Sequence, residues 1–411
     1  MTVEMGNEQA TSLLDAGFFF VEIVFSFFIA TSRGVKWAKL FAGNLAIVVF
    51  YVYFMVSISW SGDPSGSFKR IVKDFGLLFV IGLIFSEKEP LQAMRAVYIR
   101  CAVVLLPLSV LTIKYFPSIA RTFGLNGDIL VTGVTTQKNG LGEIVLIFTL
   151  FLLWDYLETY APGKRLRWNK GAWDQMLLIA MGVWLLEQSK SKTALLCIAI
   201  GMFVMLRPKF LITKLFNRAL FIIALSTPLL LFFSQQFNSV IAPMVKALGR
   251  DMTFTGRGNI WAHITLSTVN PIVGYGYWNF WGGPDGYEIA RDMKTVIPNA
   301  HNGYLDIYLD GGFIGLALLF MVLIVCGNRI MRKVKANPEG GLFTKVRFSI
   351  LIVVIIYNLS ESTFARMELI WFTALMMMVE FPANALSKKK RSATLESKAV
   401  GERRRPVLQN I

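Results

Sequence analysis

Apolar runs long enough to cross a lipid bilayer recur along the whole chain, and they constrain the fold more than any other feature. A helix that crosses a hydrocarbon core of about 30 Å needs about 20 predominantly apolar residues. Of the 411 residues, 55% are hydrophobic and 17% are charged, which is less charge than a soluble domain carries. Because helices satisfy their backbone polar groups internally in lipid, we predict an all-α, polytopic helical membrane protein.

These runs predict about eleven transmembrane helices, within a range of roughly 10–12, in one transmembrane domain over residues 1–382. The predicted spans are 13–30, 40–58, 71–86, 97–113, 140–157, 175–188, 193–206, 218–234, 312–327, 347–361 and 367–382. Segment 235–311 is longer than an ordinary connection. It holds a helix-like stretch, "GNIWAHITLS", between glycine-rich turns. We therefore predict one long extracytoplasmic loop that contains short helices.

The distribution of Lys and Arg predicts the orientation. Every second connection along the chain, together with the C-terminal tail, lies on one side of the membrane, and these segments hold 28 of the 42 basic residues. They are 31–39, 87–100, 158–174, 207–218, 328–347 and the tail from 383. Basic connections stay on the cytoplasmic side, so the pattern places them inside and the N-terminus outside. We expect the basic tail 383–411 to be cytoplasmic and disordered, and able to touch anionic lipid.

The net charge of +16 does not indicate a nucleic-acid-binding protein, because the basic residues flank apolar spans. Cys101, Cys197 and Cys326 each fall in an apolar run, and their spacing matches no metal site. The predicted outer face has no Asp-x-Asp pair of the kind that bridges a metal to a nucleotide sugar. We expect neither a metal nor another cofactor.

Two polar stretches on the predicted outer face are candidates for binding an anion. In "TFTGRGNIWAHI" (253–264), Arg257 stands at the start of a predicted helix, where free N–H groups and a guanidinium favour phosphate. An interfacial arginine that reaches lipid headgroups is the alternative. In "EQSKSKTALL" (187–196), Lys190 and Lys192 lie outside, against the positive-inside trend. They form either a clamp for a diphosphate or a pair of solvated loop charges.

A third stretch, "VTTQKNGLGE" (134–143), places Lys138 and Asn139 where a span begins on the outer side. A lysine at a helix N-terminus favours an anion, although an Asn-Gly turn explains the same letters. Glu143 lies one turn deeper, and ionisable groups at membrane depth are functional candidates.

The fourth stretch, "PNAHNGYLDIYLDGG" (298–312), contains His301, one of two histidines in the chain. Histidine can exchange a proton or donate a hydrogen bond near neutral pH, although a single interfacial histidine is more often a plain polar residue. If the stretch is helical, His301 shares a face with Leu305, and Asn302 and Asp306 lie beside them.

Together these stretches resemble the O-antigen ligase and polymerase superfamily, in its exopolysaccharide polymerase branch. The matching pieces occur in the family's order over residues 57–320. They are "SISWSGDPSGSFKR", "TTQKNGLGE", "SKSKTALL", "FTGRGNIW", "NPIVGYGYWNFW" and "AHNGYLDIYLDGGFIGLALL". The resemblance implies a multi-span helical fold and a metal-independent membrane glycosyltransferase. Such a protein moves glycans from undecaprenyl diphosphate carriers on the outer face of the bacterial cytoplasmic (inner) membrane.

The resemblance also implies catalytic roles for Arg257 and His301. Arg257 matches the family's functional arginine in the large outer loop, and His301 matches the histidine of its "HNxYL" pattern. Lys190 or Lys192 stands where many members carry a Ser-Arg pair, so the charge is kept but the bidentate fork is not.

At position 137 this chain has Gln where many exopolysaccharide members have His, so Lys138 and Asn139 alone carry over from that motif as contacts of the lipid diphosphate. Further contacts with the sugar or the acceptor are expected from a polar and aromatic set. It comprises Asn302, Asp306, Tyr275, Tyr277 and Trp278. An interfacial aromatic belt explains the aromatic members equally well.

The implied activity is polymerisation of lipid-linked repeat units into exopolysaccharide. A ligase that passes finished glycan to lipid A core or protein stays open, because both share the donor chemistry. A transporter or flippase is less favoured, since the polar features cluster at one face and no internal repeat is visible. The implied partners are the undecaprenyl-diphosphate-linked glycan, membrane lipids, and flippase and chain-length regulator proteins, with no nucleic acid.

Overall fold

The computed structural model describes residues 13–123, 129–160, 170–207, 215–223, 226, 257–264, 267, 269–293, 295, 297–336 and 342–381. Most of these residues are helical, which confirms the expected helical architecture. The helices are α1 (Leu13–Ser32), α2 (Trp37–Gly43), α3 (Leu45–Val56), α4 (Pro64–Phe85), α5 (Pro90–Tyr115), α6 (Pro117–Ala120), α7 (Lys138–Tyr160), α8 (Lys170–Ser189), α9 (Lys192–Leu206), α10 (Arg257–Ile264), α11 (Pro284–Asp292), α12 (Gly303–Ala336), α13 (Leu342–Tyr357) and α14 (Leu369–Met378).

Proline and short polar side chains set where several of these helices begin. Pro64 and Pro90 stand in the first turns of α4 and α5, where a backbone N–H would have no helical partner anyway. The Asp63 carboxylate caps α4 by accepting from a backbone N–H three residues on, at 2.9 Å. The Ser191 hydroxyl caps α9 in the same way, at 3.3 Å.

All eleven predicted spans overlap described helical residues, although of the eighth, 218–234, only 218–223 and 226 are described. Among the described helices, α5, α7 and α12 are each long and apolar enough to cross a membrane, and the bent pair α2–α3 makes up to four such spans. The chain is therefore a multi-pass membrane protein. The number of about eleven spans stays a prediction.

The second predicted span, 40–58, is broken rather than continuous, because the chain bends by 100° between α2 and α3. The break lies at Asn44, whose φ and ψ of −126° and 36° are not helical. Its amide Nδ2 donates to the Leu40 carbonyl at 2.8 Å and to the Glu380 carbonyl at 2.7 Å, while Glu380 N donates to its Oδ1 at 2.8 Å. Asn44 therefore joins the bend to the C-terminal end of the described chain.

Helix α12 begins nine residues before the predicted ninth span and is interrupted at Gly312, where φ is 61° and ψ is −160°. The backbone of segment 270–276 enters this break. Two N–H groups after the break donate to the carbonyls of residues 271 and 272, at 2.8 and 3.2 Å. Two carbonyls before it accept from the N–H groups of residues 275 and 276, at 2.8 and 2.9 Å. The long loop thus supplies the hydrogen bonds that the helix lacks there.

A short antiparallel pair of strands, β1 (Arg121–Phe123) and β2 (Ile129–Val131), departs from the all-α expectation. It lies in the connection between α6 and α7. Phe123 and Ile129 face each other across the pair, and aromatic and β-branched side chains favour extended pairing. Its position in a connection leaves the helical bundle itself unchanged.

Contacts between connections show that those predicted for the outer face meet at one end of the bundle. Ser67 Oγ donates to the Tyr277 carbonyl at 2.7 Å, and Asn139 Nδ2 donates to Glu361 Oε2 at 2.8 Å. At the other end, Arg33 pairs with Glu87. The alternation of connections agrees with the predicted topology, while the compartment that each end faces stays a prediction.

The core surrounds α14, of whose ten residues eight are buried. Trp371 on α14 donates from Nε1 to the Tyr51 hydroxyl on α3 at 2.9 Å, and Thr373 shares a hydrogen bond of 2.8 Å with Tyr98 on α5. The start of α7, the end of α13 and the start of α14 lie together at the end of the bundle that carries the predicted outer connections.

Candidate active site

The connection from α13 to α14, residues 358–368, is shaped by the side chain of Asn358. Its Oδ1 accepts from the N–H groups of Thr363 and Phe364, at 2.9 and 3.1 Å, and its Nδ2 donates to Thr363 Oγ1 at 2.9 Å. An asparagine that bonds to nearby backbone in this way stabilises a tight turn. The turn carries Glu361, which is buried.

The segment that precedes α12 is joined to this turn. Asn302 Oδ1 accepts from two backbone N–H groups in the first turn of α12, at 3.0 and 3.1 Å, and its Nδ2 donates to the Leu359 carbonyl at 3.2 Å. Gly303 N donates to the carbonyls of Asn358 and Glu361, both at 2.9 Å. A Cβ at Gly303 would lie 2.1 Å from Asn358 Oδ1, so this close approach requires glycine.

His301 lies at this junction with a left-handed backbone, at a φ of 50°. Its N–H donates to Asn299 Oδ1 at 3.0 Å. Its imidazole Nδ1 lies 3.6 Å from Glu361 Oε2, and the two side chains are 28% and 9% exposed. Asn139 holds the same carboxylate oxygen from the start of α7. Strained backbone in a non-glycine residue is a recurrent property of functional sites.

These groups border a cavity of about 270 Å³. Its lining residues are Thr135, Thr136, Gln137, Asn139, Gly140, Glu143, Ile144, Asn299, His301, Tyr357, Glu361, Ser362, Thr363, Glu368 and Leu369. The ionisable side chains that line the cavity are Glu143, Glu361, Glu368, His301 and Tyr357. No Lys or Arg is among the described residues of the lining. No three acidic or imidazole groups in the described part of the chain are arranged to hold a metal ion.

The other two glutamates differ in how they are held. Glu143 is 6% exposed, and its Oε1 accepts from the Ile370 backbone N–H at 2.8 Å, so it serves the start of α14. Glu368 directly precedes α14, is an exposed residue and is among those that line the cavity. The sequence made Glu143 a functional candidate because of its depth in the membrane, and its bond to α14 gives it a structural role.

A buried ion pair lies behind the turn. Arg366 Nη2 is 2.8 Å from Asp310 Oδ2, and the side chains are 5% and 1% exposed. Burial opposes the charge of Arg366, but the carboxylates of Asp310 and Asp306 outweigh it and raise the pKa of the guanidinium. The ring of Trp278 lies 4.7 Å from the Arg366 guanidinium and 5.5 Å from that of Arg70. The pair joins the turn to α12 and to the long loop.

The structure does not bring the predicted aromatic contacts to the cavity. Tyr277 is fully buried, and its hydroxyl donates to Asp74 and to the Ala365 carbonyl. Trp278 lies between the two arginines. Tyr275 is partly exposed and packs edge-on against Phe280, with ring centroids 5.7 Å apart.

The predicted polar contacts beside His301 are also used within the protein. Asp306 is 1% exposed, and its carboxylate accepts from Trp281 Nε1 at 2.7 Å and from Ala300 N at 3.1 Å. Asn302 caps α12, as described above. Because α12 begins at Gly303, His301 precedes the helix and does not share a helical face with Leu305, as a helical stretch would have required.

The predicted lysines lie at helix ends and do not line the cavity. Lys138 is partly exposed in the first turn of α7. Lys190 and Lys192 are exposed at the start of α9, and Lys190 has a φ of 49°. The same helix start contacts the turn, because Thr193 Oγ1 and Ser360 Oγ lie 2.8 Å apart.

Arg257 is the first residue of α10, as the sequence predicted for a helix start. One turn further along the helix, Trp261 Nε1 donates to the Ala300 carbonyl at 2.9 Å. This bond holds α10 against Ala300, the residue before His301. The backbone of Arg257 and the backbone of His301 therefore lie in one region.

The turn 358–368, "NLSESTFARME", was not identified as a candidate from the sequence. It contributes Glu361, Glu368 and Arg366. The sequence does contain a sign of this site, because three charged residues occur in a short connection between two apolar runs on the predicted outer face.

Two comparisons with known proteins bear on this site. Residues 175–320 match the family model described as O-antigen ligase. The chain is also 26% identical over 296 residues to the exopolysaccharide production protein ExoQ of Rhizobium meliloti (strain 1021), a match that covers 69% of this chain and 64% of that protein. The chain thus spans less than two thirds of this relative. Both matches agree with the sequence motifs, and they confirm the resemblance of the chain to the O-antigen ligase and polymerase superfamily, in its exopolysaccharide branch.

Proposed function

We propose that the protein polymerises lipid-linked oligosaccharide repeat units into exopolysaccharide at the outer face of the bacterial cytoplasmic membrane. The donor is a glycan on undecaprenyl diphosphate, and the reaction is glycosyl transfer without a metal. The observation that carries the proposal is the pairing of His301 with Glu361 in a cavity at the bundle end where the predicted outer connections meet. The similarity to a protein named for exopolysaccharide production supports it.

His301 and Glu361 suit the deprotonation of an acceptor hydroxyl. Nδ1 of His301 lies 3.6 Å from Glu361 Oε2, and the tautomer that carries its proton on Nδ1 leaves the Nε2 lone pair to accept the hydroxyl proton. The acceptor oxygen then bonds to the anomeric carbon of the donor, the bond from that carbon to the diphosphate oxygen breaks, and the lipid diphosphate leaves with the electron pair. The neighbouring carboxylate stabilises the imidazolium that results.

Charge grows on the leaving diphosphate, and cations outside the cavity are proposed to stabilise it. Arg257 at the start of α10 is the first candidate, since a guanidinium beside helix N–H groups suits phosphate oxygens. Lys138 and Lys192 are also the first residues of helices, and Lys190 lies between α8 and α9. Asn139 follows Lys138 in α7. The loop 235–311 would then carry Arg257, the first of these candidates, with the tail 383–411 on the cytoplasmic side.

The charge assignment is tested by replacing Arg257 with Ala and, separately, with Lys. We expect Arg257→Ala to abolish polymer in a strain that lacks the native gene, and Arg257→Lys to restore only part of it, because lysine lacks the fork. Normal polymer from Arg257→Ala, at equal protein in the membrane, would contradict the assignment.

The proton-transfer assignment is tested with His301→Ala. We expect a rate of glycosyl transfer lower by about 10²–10⁴-fold, the usual contribution of a general base. The rate is measured with purified protein and lipid-linked repeat units, by mass analysis of the product. A near-normal rate would remove His301 from the chemistry.

A ligase that passes finished glycan to lipid A core or protein is the second candidate, favoured by the family model described as O-antigen ligase. The two activities differ in what accumulates when the protein is missing. Loss of a polymerase leaves single repeat units on the carrier, whereas loss of a ligase leaves long polymer on the carrier. Gel analysis of carrier-linked glycan from a deletion strain separates them.

A further inference from the structure

The cavity beside His301 is lined by acidic side chains and by none of the basic side chains proposed to bind the diphosphate. Glu143, Glu361 and Glu368 all line it, and the lysines of the predicted clamp do not. A diphosphate carries at least two negative charges, and like charges within a few ångströms repel strongly where water is partly excluded. The leaving group of the proposed reaction must therefore lie outside this cavity, on the side of the cationic helix starts.

The lining is suited to the hydroxyl groups of a sugar. Carboxylates accept hydrogen bonds from hydroxyls, and Thr135, Gln137 and Asn299 add neutral donors and acceptors. The Ser362 hydroxyl is buried at the lining and has no hydrogen-bond partner among the residues that the structure describes. Buried polar groups normally have a partner, so this hydroxyl indicates a group that a ligand brings.

The size of the cavity limits what it can hold. At about 270 Å³ it lies just below the range of roughly 300–1,000 Å³ that is usual for small-molecule sites. We expect it to hold one monosaccharide residue, with the rest of the glycan outside.

We propose that this cavity is the acceptor subsite, that it takes a single sugar residue without an acidic group, and that Glu368 excludes uronic acids and other anionic sugars from it. The inference rests on the proposed function, because it assigns the acceptor of that reaction. Glu368 is singled out among the three glutamates by its position. Glu143 bonds to the start of α14 and Glu361 is held by Asn139, whereas Glu368 lines the cavity and is the exposed residue of the three.

Binding of three matched trisaccharides to the purified full chain in nanodiscs tests the proposal. They are cellotriose, its analogue with glucuronic acid at the non-reducing end, and the analogue with glucuronamide there. The amide has the shape of the acid without its charge. We expect similar Kd values for cellotriose and the amide, and a Kd about tenfold or more higher for the acid, which is the size expected for one close like-charge contact in partly excluded water.

Two variants assign the effect to a residue. Glu368→Gln should bring the Kd of the acid trisaccharide closer to the Kd of the amide trisaccharide. Glu288→Gln removes a charge from an exposed side chain on α11. This control should leave the ratio of the two Kd values unchanged. Equal binding of acid and amide, absence of binding by all three at millimolar concentration, or an unchanged difference in Glu368→Gln would each overturn the proposal.

Glycosyl transfer onto the same three trisaccharides separates this inference from the proposed function. Weaker binding of the acid than of the amide, without glycosyl transfer to any acceptor, would support the proposed subsite and contradict the proposed polymerase function. Transfer to the acid as fast as to the amide would overturn the subsite and leave the polymerase in place.

Discussion

Substitution of Glu361 by glutamine removes one negative charge from beside His301 and changes little else. The amide retains an oxygen that can accept from Asn139, whose Nδ2 lies 2.8 Å from the carboxylate. We expect the rate of glycosyl transfer to fall, because the imidazolium that forms when His301 takes a proton loses its counter-charge. Binding of the neutral acceptor should change much less than the rate, since the counter-charge acts on the imidazolium that forms only when the proton is transferred.

The size of the effect follows from the geometry. At the observed 3.6 Å between Nδ1 and Oε2, two unit charges attract by about 4–5 kcal/mol at an effective dielectric constant of about 20. The His301 side chain is 28% exposed, so water screens the pair. We therefore expect a contribution of about 2 kcal/mol, which corresponds to a rate roughly thirtyfold lower.

The assay measures initial rates of glycan lengthening by the purified full chain in nanodiscs, over a range of acceptor concentrations. Glu288→Gln is the matched control, because it removes an exposed glutamate of α11 that does not line the cavity. A Glu361→Gln variant that is equally well folded and retains the parent kcat would refute the reasoning. A raised KM at unchanged kcat would instead assign Glu361 to acceptor binding.

Two further predictions concern stability, measured as the thermal unfolding of the purified protein in detergent. Gly312→Ala should prevent folding or lower the free energy of unfolding by about 3 kcal/mol or more, because a Cβ there would lie 2.3 Å from the backbone of Ile272 and φ is +61°. Gly17→Ala is the control and should be nearly neutral, because a Cβ there meets nothing within 4 Å. Asp310→Asn should lower the unfolding temperature by several degrees, because the buried Arg366 guanidinium would lose the carboxylate that contacts it, at a cost of up to about 3–5 kcal/mol. Adding Arg366→Met should recover part of that loss, and a double variant less stable than the single one would contradict the ion-pair account.

Much of the helical architecture could be predicted from the sequence, because lipid imposes long apolar runs. The fourth predicted span, 97–113, falls within α5, and the fifth, 140–157, falls within α7. The bend at Asn44 could not be predicted in this way. Its partner Glu380 is 336 residues away in the chain, and a local pattern carries no information about so distant a contact.

The candidate site was predictable to a smaller extent. His301 stood out because histidine is rare in this chain, and Asn139 because it follows a lysine at a span start. Glu361 did not stand out, since an isolated glutamate in a short connection resembles any solvated loop charge. Its relevance arises from two contacts, with Asn139 and with His301, that join three separate elements. The aromatic run was assigned by composition, whereas the burial of Tyr277 depends on the tertiary position of Asp74.

The break in α12 has a consequence for how the chain is made. The residues on either side of Gly312 complete their backbone hydrogen bonds with segment 270–276, which precedes them in the chain. If α12 forms first as one continuous helix, those bonds are unmade until segment 270–276 packs against it. The part of α12 that adjoins His301 is then complete only after this docking, which is a step separate from formation of the helix.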